Sequence, residues 1–312
     1  MARRKSERGA VAITVALLST VMIAFAALTV DFAGLVHERA QLQNGADAAA
    51  LAIAIDCSRG DCGNVDDTAQ SLTAANVSNP NAIGRPNPGV TPASGKVTVT
   101  DSSVRSHTFG PAIGIKASPV GAKASAAWGT PGKGTAKLPV TFSYCDWYAQ
   151  TGGLRPSGTT ERLIQFTKDS NTGCNGPSGN AVPGGFGWFV APPDCRTASA
   201  IREEIISKPG NSVPSGCTVA DFSRLINKSV LLPIYDKAGG QGSNAYYRVY
   251  GYAAFVITGY NFVGQYSMNT RPGDPGSNWI RGYFTAFVSP DEAFNIDPSA
   301  PSLGSKIIVL SS

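Results

Sequence analysis

The sequence predicts an α+β protein: a long N-terminal transmembrane-plus-amphipathic helix followed by a mostly antiparallel, β-rich extracytoplasmic region. Three observations carry that expectation. Gly9 to Val30 is an uncharged, largely apolar run of 22 residues. Apolar residues at helical spacing then continue past Asp31, with no proline before Ile55. Beyond residue 95, short β-branched and aromatic runs alternate with turn residues, in a chain of 35 glycines and 21 prolines.

Residues 1–8 form a basic leader, with Arg3, Arg4, Lys5 and Arg8 against Glu7. Positive charge ahead of an apolar span stays in the cytoplasm. Residues 1–8 are therefore expected inside, 9–30 in the bilayer and 31–56 as an extracytoplasmic continuation of the helix. The 9–30 run would be about 33 Å long, against a hydrocarbon core of about 30 Å. A rival reading takes Ala24-Phe25-Ala26 as a signal-cleavage site and the product as a secreted enzyme or binding protein. The apolar run exceeds the usual signal core of about 7–15 residues.

Past the bilayer, Leu35, Leu42, Ala46, Ala49 and Ile53 share a stripe with Asp31, spanning about 60° of a helix. Val36, His37, Gln41, Gln43 and Asn44 lie off it. The spacing predicts one helix of about 45 residues, roughly 68 Å long, weakened by Gly34 and Gly45. A simple anchor has no use for a stripe above the membrane. It is expected to be a packing seam, closed by the chain's own head or by a neighbouring helix. Asp31 marks the outer membrane boundary, with a basic group such as Arg39 on a neighbouring helix as its alternative partner.

The residues Arg8-Gly9-Ala10-Val11, Ala27-Leu28, Val30-Asp31, Gly34, Glu38-Arg39, Leu42-Gln43-Asn44 and Ala46-Asp47-Ala48-Ala49-Ala50-Leu51-Ala52 resemble the N-terminal region of TadE/TadG-like proteins of bacterial Flp-type (tight adherence) pilus assembly. Val230 to Asp236 and Tyr246 to Asn261 resemble the outer part of some members less specifically. The resemblance implies a membrane-anchored, non-enzymatic assembly or structural component in the bacterial cytoplasmic membrane. Its implied partners are the lipid bilayer and other pilin-like or pilus-assembly membrane proteins. It also implies a processing site between Gly9 and Ala10. The fifth residue after that site is Thr14, where pilin precursors of the broader class carry glutamate, which argues against processing. Larger members carry an adhesion domain with a D-x-S-x-S metal site. Here Asp101-Ser102-Ser103-Val104-Arg105 puts Arg105 where the second serine belongs.

Residues 57–95 read as a loop or linker with a short helix around Val65 to Val77. A small strand-helix-strand segment is expected over 96–128, with strands at Lys96 to Thr100 and Lys123 to Gly129 and a helical turn at Phe109 to Ile115. A second linker spans 129–137, and a β-rich domain 138–312. Its expected strands are Val140 to Tyr144, Leu163 to Phe166, Ser229 to Ile234, Tyr246 to Thr258, Trp279 to Val288 and Lys306 to Leu310. Its expected helices are Ala198 to Ile206 and Val219 to Ile226. The run from Tyr246 is aromatic and β-branched throughout, as in a central strand.

Six cysteines, Cys57, Cys62, Cys145, Cys174, Cys195 and Cys217, all follow the apolar run. None forms a C-x-x-C pair, which argues against zinc. An even number beyond a membrane span suits disulfides in an oxidising compartment. Cys57 with Cys62 is the favoured pair. The other four allow three pairings, of which 145–174 with 195–217 closes modest loops.

Net charge is +5, most of it in the leader, so no basic stripe is left for nucleic acid. No cofactor is expected. No nucleophile elbow is present, and His37-Glu38 lacks the second histidine of a zinc-protease motif, Gln41 standing there. Arg59-Gly60-Asp61, between Cys57 and Cys62, offers a third reading as an adhesin, set against an ordinary helix-ending turn.

Overall fold

The computed structural model describes residues 8–166, 173–290 and 293–311. Residues 1–7 of the leader lie outside them. The chain divides into two compact units, residues 1–127 with 310–312, and residues 128–309.

In the first unit a single helix, α1, runs from Arg8 to Arg59 over 52 residues, about 78 Å. It extends past Ile55 because its last turn is secured twice. Arg59 lies in that turn, where a cation complements the exposed carbonyls. Cys57 is also cross-linked to Cys62, and Gly60 turns the chain away at φ 110°. Helix α2, Val65–Asn76, follows. Asn64 caps it, its side chain accepting from the Asp67 amide, and Asp66 and Asp67 occupy the positive first turn. An antiparallel meander completes the unit: β1 (Ile83–Pro86), β2 (Lys96–Ser106) and β3 (Ala117–Gly129). β2 buries Val97, Val99, Asp101 and Ser103 on one face. The expected linker 57–95 thus holds α2 and β1. Its prolines suit a short edge strand, which needs no ladder donor at Pro86.

The second unit is built on β4 (Pro131–Ala136), β5 (Val140–Ser143), α3 (Tyr144–Thr151), β6 (Arg162–Gln165), β7 (Phe186–Trp188), β8 (Thr197–Ala200), β9 (Glu204–Ile206), α4 (Val219–Ser223) and β10 (Ser229–Gly239). There follow β11 (Tyr246–Asn261), β12 (Ser267–Met268), β13 (Trp279–Thr285), β14 (Phe287–Pro290), β15 (Phe294–Ile296) and β16 (Ser305–Ser311). The main sheet has the order β6-β13-β11-β10-β5-β7, with β9 and β12 also paired to β11. Its pairs are antiparallel except β5 with β10. A smaller antiparallel sheet has the order β15-β4-β8, and β14 pairs β16 in parallel.

β11 is buried on both faces. Ala253, Phe255 and Ile257 enter one core with Phe142, Trp188 and Phe284. Val249, Tyr252 and Ala254 enter the other with Tyr235 and Phe294. Val249 and Tyr252 can share a face because the register with β10 slips between them, leaving Tyr250 as the extra residue of a bulge. Burial on both faces accounts for the unbroken apolar reading of this strand.

Two expectations are corrected here. Ala198 to Ile206 is not a helix: its Ala, Glu and Arg favour one locally, but Thr197–Ala200 pairs with β4 and Glu204–Ile206 with β11. Arg202, at φ 67°, turns the chain between them. Residues 129–137 are not simply a linker but contain β4. Its loop-like glycines allow close packing: a Cβ at Gly134 would lie 2.2 Å from the Phe294 ring.

Three disulfides form: Cys57–Cys62, Cys145–Cys174 and Cys195–Cys217. Sequence separations of 5 and 29 residues set the entropy each removes from the unfolded chain. Replacing Cys145 and Cys174 by alanine is expected to cost about 3–4 kcal/mol, against about 2 kcal/mol for Cys57 and Cys62. Urea unfolding of the two double variants checks the order.

Candidate functional site

The apolar and polar demands of α1 meet along one line, where its second half packs against α2 and the β2–β3 hairpin. Its first half is different: from Val11 to Phe32 the large apolar side chains are exposed. The hydroxyls within that stretch are satisfied by the helix itself. Ser19, Thr20 and Thr29 donate to the carbonyls of Val15, Ala16 and Phe25 at 2.7, 2.9 and 2.8 Å. Gly9 and Ala10 lie in the first turn.

Most of the stripe is buried. Leu42, Ala46, Ala49 and Ile53 are fully buried. Leu35 packs beside Leu42 on Val77, Ala82, Val120 and Ala122. Val36, His37 and Asn44 are exposed. The same unit therefore covers the seam in cis.

Glu38, a charged residue on the same helix face as the apolar stripe, is the polar centre of the seam. It is 2% exposed. Its Oε1 accepts from Ser103 Oγ at 2.6 Å and Asn79 Nδ2 at 2.7 Å, and its Oε2 from Arg105 Nη1 at 2.9 Å. Burial alone would raise its pKa. The bonds from Ser103, Asn79 and Arg105, with the arginine's charge, outweigh that and hold it below the ordinary 4.5. The sequence carries a signal for it: Glu38 follows Asp31 by seven residues, which returns it to the same helix face.

Asp31 meets the backbone of the β2–β3 turn. Its Oδ1 accepts from the Thr108 amide at 2.7 Å, and its Oδ2 from those of Phe109 and Gly110 at 3.0 and 2.7 Å. Further along α1, Gln41 exchanges bonds with Ser78 at 2.9 and 3.2 Å, and Gln43 donates to the Lys123 carbonyl at 3.3 Å.

Asp101 and Ser103, from the metal-motif candidate, are buried against the helices, and Arg105 serves Glu38. Thr73 Oγ1 lies 2.8 Å from Asp101 Oδ2 and 2.9 Å from the Ala69 carbonyl. One hydroxyl proton cannot serve both oxygens at once, so the bond that Thr73 donates leaves the buried Asp101 carboxylate weakly compensated. Burial accordingly pushes the Asp101 pKa up to about 6, against the bond from Thr73.

Residues 9–54 match the family model described as "Putative Flp pilus-assembly TadE/G-like". The N-terminal segment is TadE/G-like. The match concerns this segment alone, 46 of the 312 residues. No curated protein and no solved structure matches the chain. Among the residues of the TadE/G-like resemblance, Asp31, Gly34, Glu38, Leu42 and Gln43 meet the chain's own hairpin or loops, whereas Arg39 and Asn44 are exposed.

Other candidates lie apart. Arg59, Gly60 and Asp61 are exposed in the Cys57–Cys62 loop, where Asp61 Oδ1 accepts from the Gly63 amide. His107 Nε2 bonds Ser118 Oγ at 2.8 Å.

The two glycines of the seam should respond differently to alanine. A Cβ at Gly45 would lie 2.6 Å from Asp101 Oδ2 and 3.2 Å from Thr73 Cα, both buried. At Gly34 the nearest atoms are those of the Arg105 guanidinium, the end of a long side chain that also holds Glu38. Gly45→Ala is expected to lose about 1–3 kcal/mol. Gly34→Ala, whose helix-propensity gain of about 1 kcal/mol is set against displacement of the guanidinium that holds Glu38, is expected to cost less than Gly45→Ala. Denaturant unfolding in detergent distinguishes them.

The two buried acids give opposite pH dependences. Asp101 titrates near 6 when folded and near 3.8 ordinarily, so the folded chain holds more protons between those values. Stability from this group falls as pH rises from about 4 to 6. Glu38 stabilises above its ordinary 4.5 and loses that as pH falls through its depressed folded value. For Asp101→Asn, the stability difference from wild type should therefore grow by about 1–3 kcal/mol between pH 4 and 6 and then level. A difference independent of pH refutes the assignment.

Proposed function

We propose that this protein is a single-pass, membrane-anchored and non-enzymatic component of a bacterial Flp-type (Tad) pilus or related envelope apparatus. Its N-terminus lies in the cytoplasm and the bulk of the chain outside. The carrying observation is the division of one unbroken helix. Its first half exposes apolar side chains with self-satisfied hydroxyls, as lipid requires. Its second half, still within the TadE/G-like segment, is clamped by the same chain.

In this reading residues 9–30 span the bilayer, and the basic leader sets the direction. Three disulfides suit the oxidising side. The docked helix acts as a strut that holds the hairpin at a fixed height. Lipid is one partner, and other pilin-like or pilus-assembly membrane proteins are the second. Such proteins would approach through the apolar half of α1 or the outer surface, because the seam is already occupied.

Cell fractionation with alkaline extraction and N-terminal sequencing tests the reading. A membrane-retained chain that keeps residues 1–8 is expected of an anchored accessory protein. A membrane-retained chain beginning at Ala10 would indicate pilin-like processing at Gly9 and leave the anchor intact. A soluble product beginning at Ala27 would overturn the anchor in favour of a secreted protein.

A further inference from the structure

The β2–β3 hairpin ends in an uncharged run, Phe109-Gly110-Pro111-Ala112-Ile113-Gly114-Ile115, followed by Lys116. Tips of hairpins that face water are ordinarily polar. Here Phe109, Ile113 and Ile115 are 47, 65 and 51% exposed, and Pro111 and Ala112 are exposed between them. The tip is an ordered turn. Gly110–Ile113 forms a 3-10 turn, the Ile115 amide donates to the Gly110 carbonyl at 3.0 Å, and the His107 amide to that of Lys116 at 2.9 Å.

Its height is fixed by rungs between β2 and α1. Asp101 lies against Gly45, Arg105 against Gly34 and Glu38, and the amides of Thr108 to Gly110 on Asp31. From Gly45 down to Asp31 the helix descends about 21 Å. The strand from Asp101 to Thr108 covers about 23 Å. The tip therefore arrives beside the residue that ends the uncharged run of α1.

We propose that Phe109–Ile115 is a second membrane contact, seated in the boundary between headgroups and acyl chains beside α1. The proposal rests on the anchored reading above. Lipid is the occupant for two reasons. The apolar tip arrives at the level of Phe32, on the exposed apolar surface that continues down α1 through Leu28 and Phe25. Lys116 closes the run with a cation suited to anionic headgroups. The place of Asp31 follows from this, since it accepts three amides that would otherwise face the edge of the bilayer unpaired. Two attachment points restrain rotation of the first unit about the helix axis, which a lone helix does not.

The test uses the full chain in vesicles of phosphatidylcholine and phosphatidylglycerol, with a nitroxide on a single introduced cysteine. Met22→Cys reports on the span, Ile113→Cys on the tip, and Asp66→Cys, exposed on α2, on water. Collision rates with oxygen and with a water-soluble nickel complex give the depth of each. The oxygen-to-nickel ratio at 113 is expected to exceed that at 66 severalfold, as at 22. A ratio at 113 equal to that at 66, with 22 still in lipid, overturns the tip contact and leaves the anchor standing. Water-like ratios at both 22 and 113 overturn the anchor and the tip together. A label at 113 shielded from both reagents, as when a second copy covers it, also overturns the lipid assignment.

Discussion

Everything in the first unit depends on the docking of one hairpin along the second half of one helix. A helix that leaves a bilayer enters water, where the backbone gains little from staying wound and a narrow apolar stripe is a liability. Here the hairpin removes the stripe from water and supplies polar partners at fixed heights. Glu38 sits in the middle of this contact. With Ser103, Asn79 and Arg105 it forms a buried charge whose lone pairs are engaged from two other segments of chain. Such an arrangement contributes little if counted as an isolated ion pair, but removing either side strands a buried charge. Its main effect is on register: a slip of the hairpin by one rung along α1 would leave both Glu38 and Asp31 without donors.

Asp101 makes the opposite case. It is buried on the same face of β2 as Ser103, yet it has one hydroxyl for company and no cation. Among the described residues its Oδ1 has no partner. The chain tolerates a carboxyl there by keeping it protonated more readily than usual, while the carboxyl at 38 stays ionised. Two acids on one seam thus titrate apart because one has three donors, an arginine among them, and the other has a single hydroxyl.

The broad architecture is legible in the sequence. The length of the uncharged run, the absence of proline and the spacing of Leu35, Leu42, Ala46, Ala49 and Ile53 fix a long helix and the face it buries. The alternation of Lys96 to Thr100 and the aromatic run from Tyr246 likewise fix strands. The identity of the seam's partner is not legible. Seam residues look the same whether a neighbour or the same chain covers them, because the covering residues lie tens of positions away, at Val77 and Ala82 and in β3. Ala198 to Ile206 reads wrongly for a related reason: local propensity favours a helix, and only the pairing of β8 with β4 and of β9 with β11, distant in sequence, overrides it. Glu38 is legible in principle, since a carboxylate on an apolar stripe demands partners.

Closure in cis also constrains how the chain can meet others. To offer Leu42, Ala46, Ala49 and Ile53 to a neighbouring helix, the hairpin would have to leave. That would expose the cluster around Val77, Val120 and Ala122 and unpair Glu38 from its donors at the same time. These losses are coupled, because β2 carries Ser103 and Arg105 on the same short stretch that covers the helix. A partner helix would therefore have to replace apolar cover and charge partners together, whereas the half of α1 from Val11 to Phe32 requires neither and is already exposed. The asymmetry between the two halves of a single helix is thus a division of labour: one half holds the fold of its own chain, and the other is left for the surroundings.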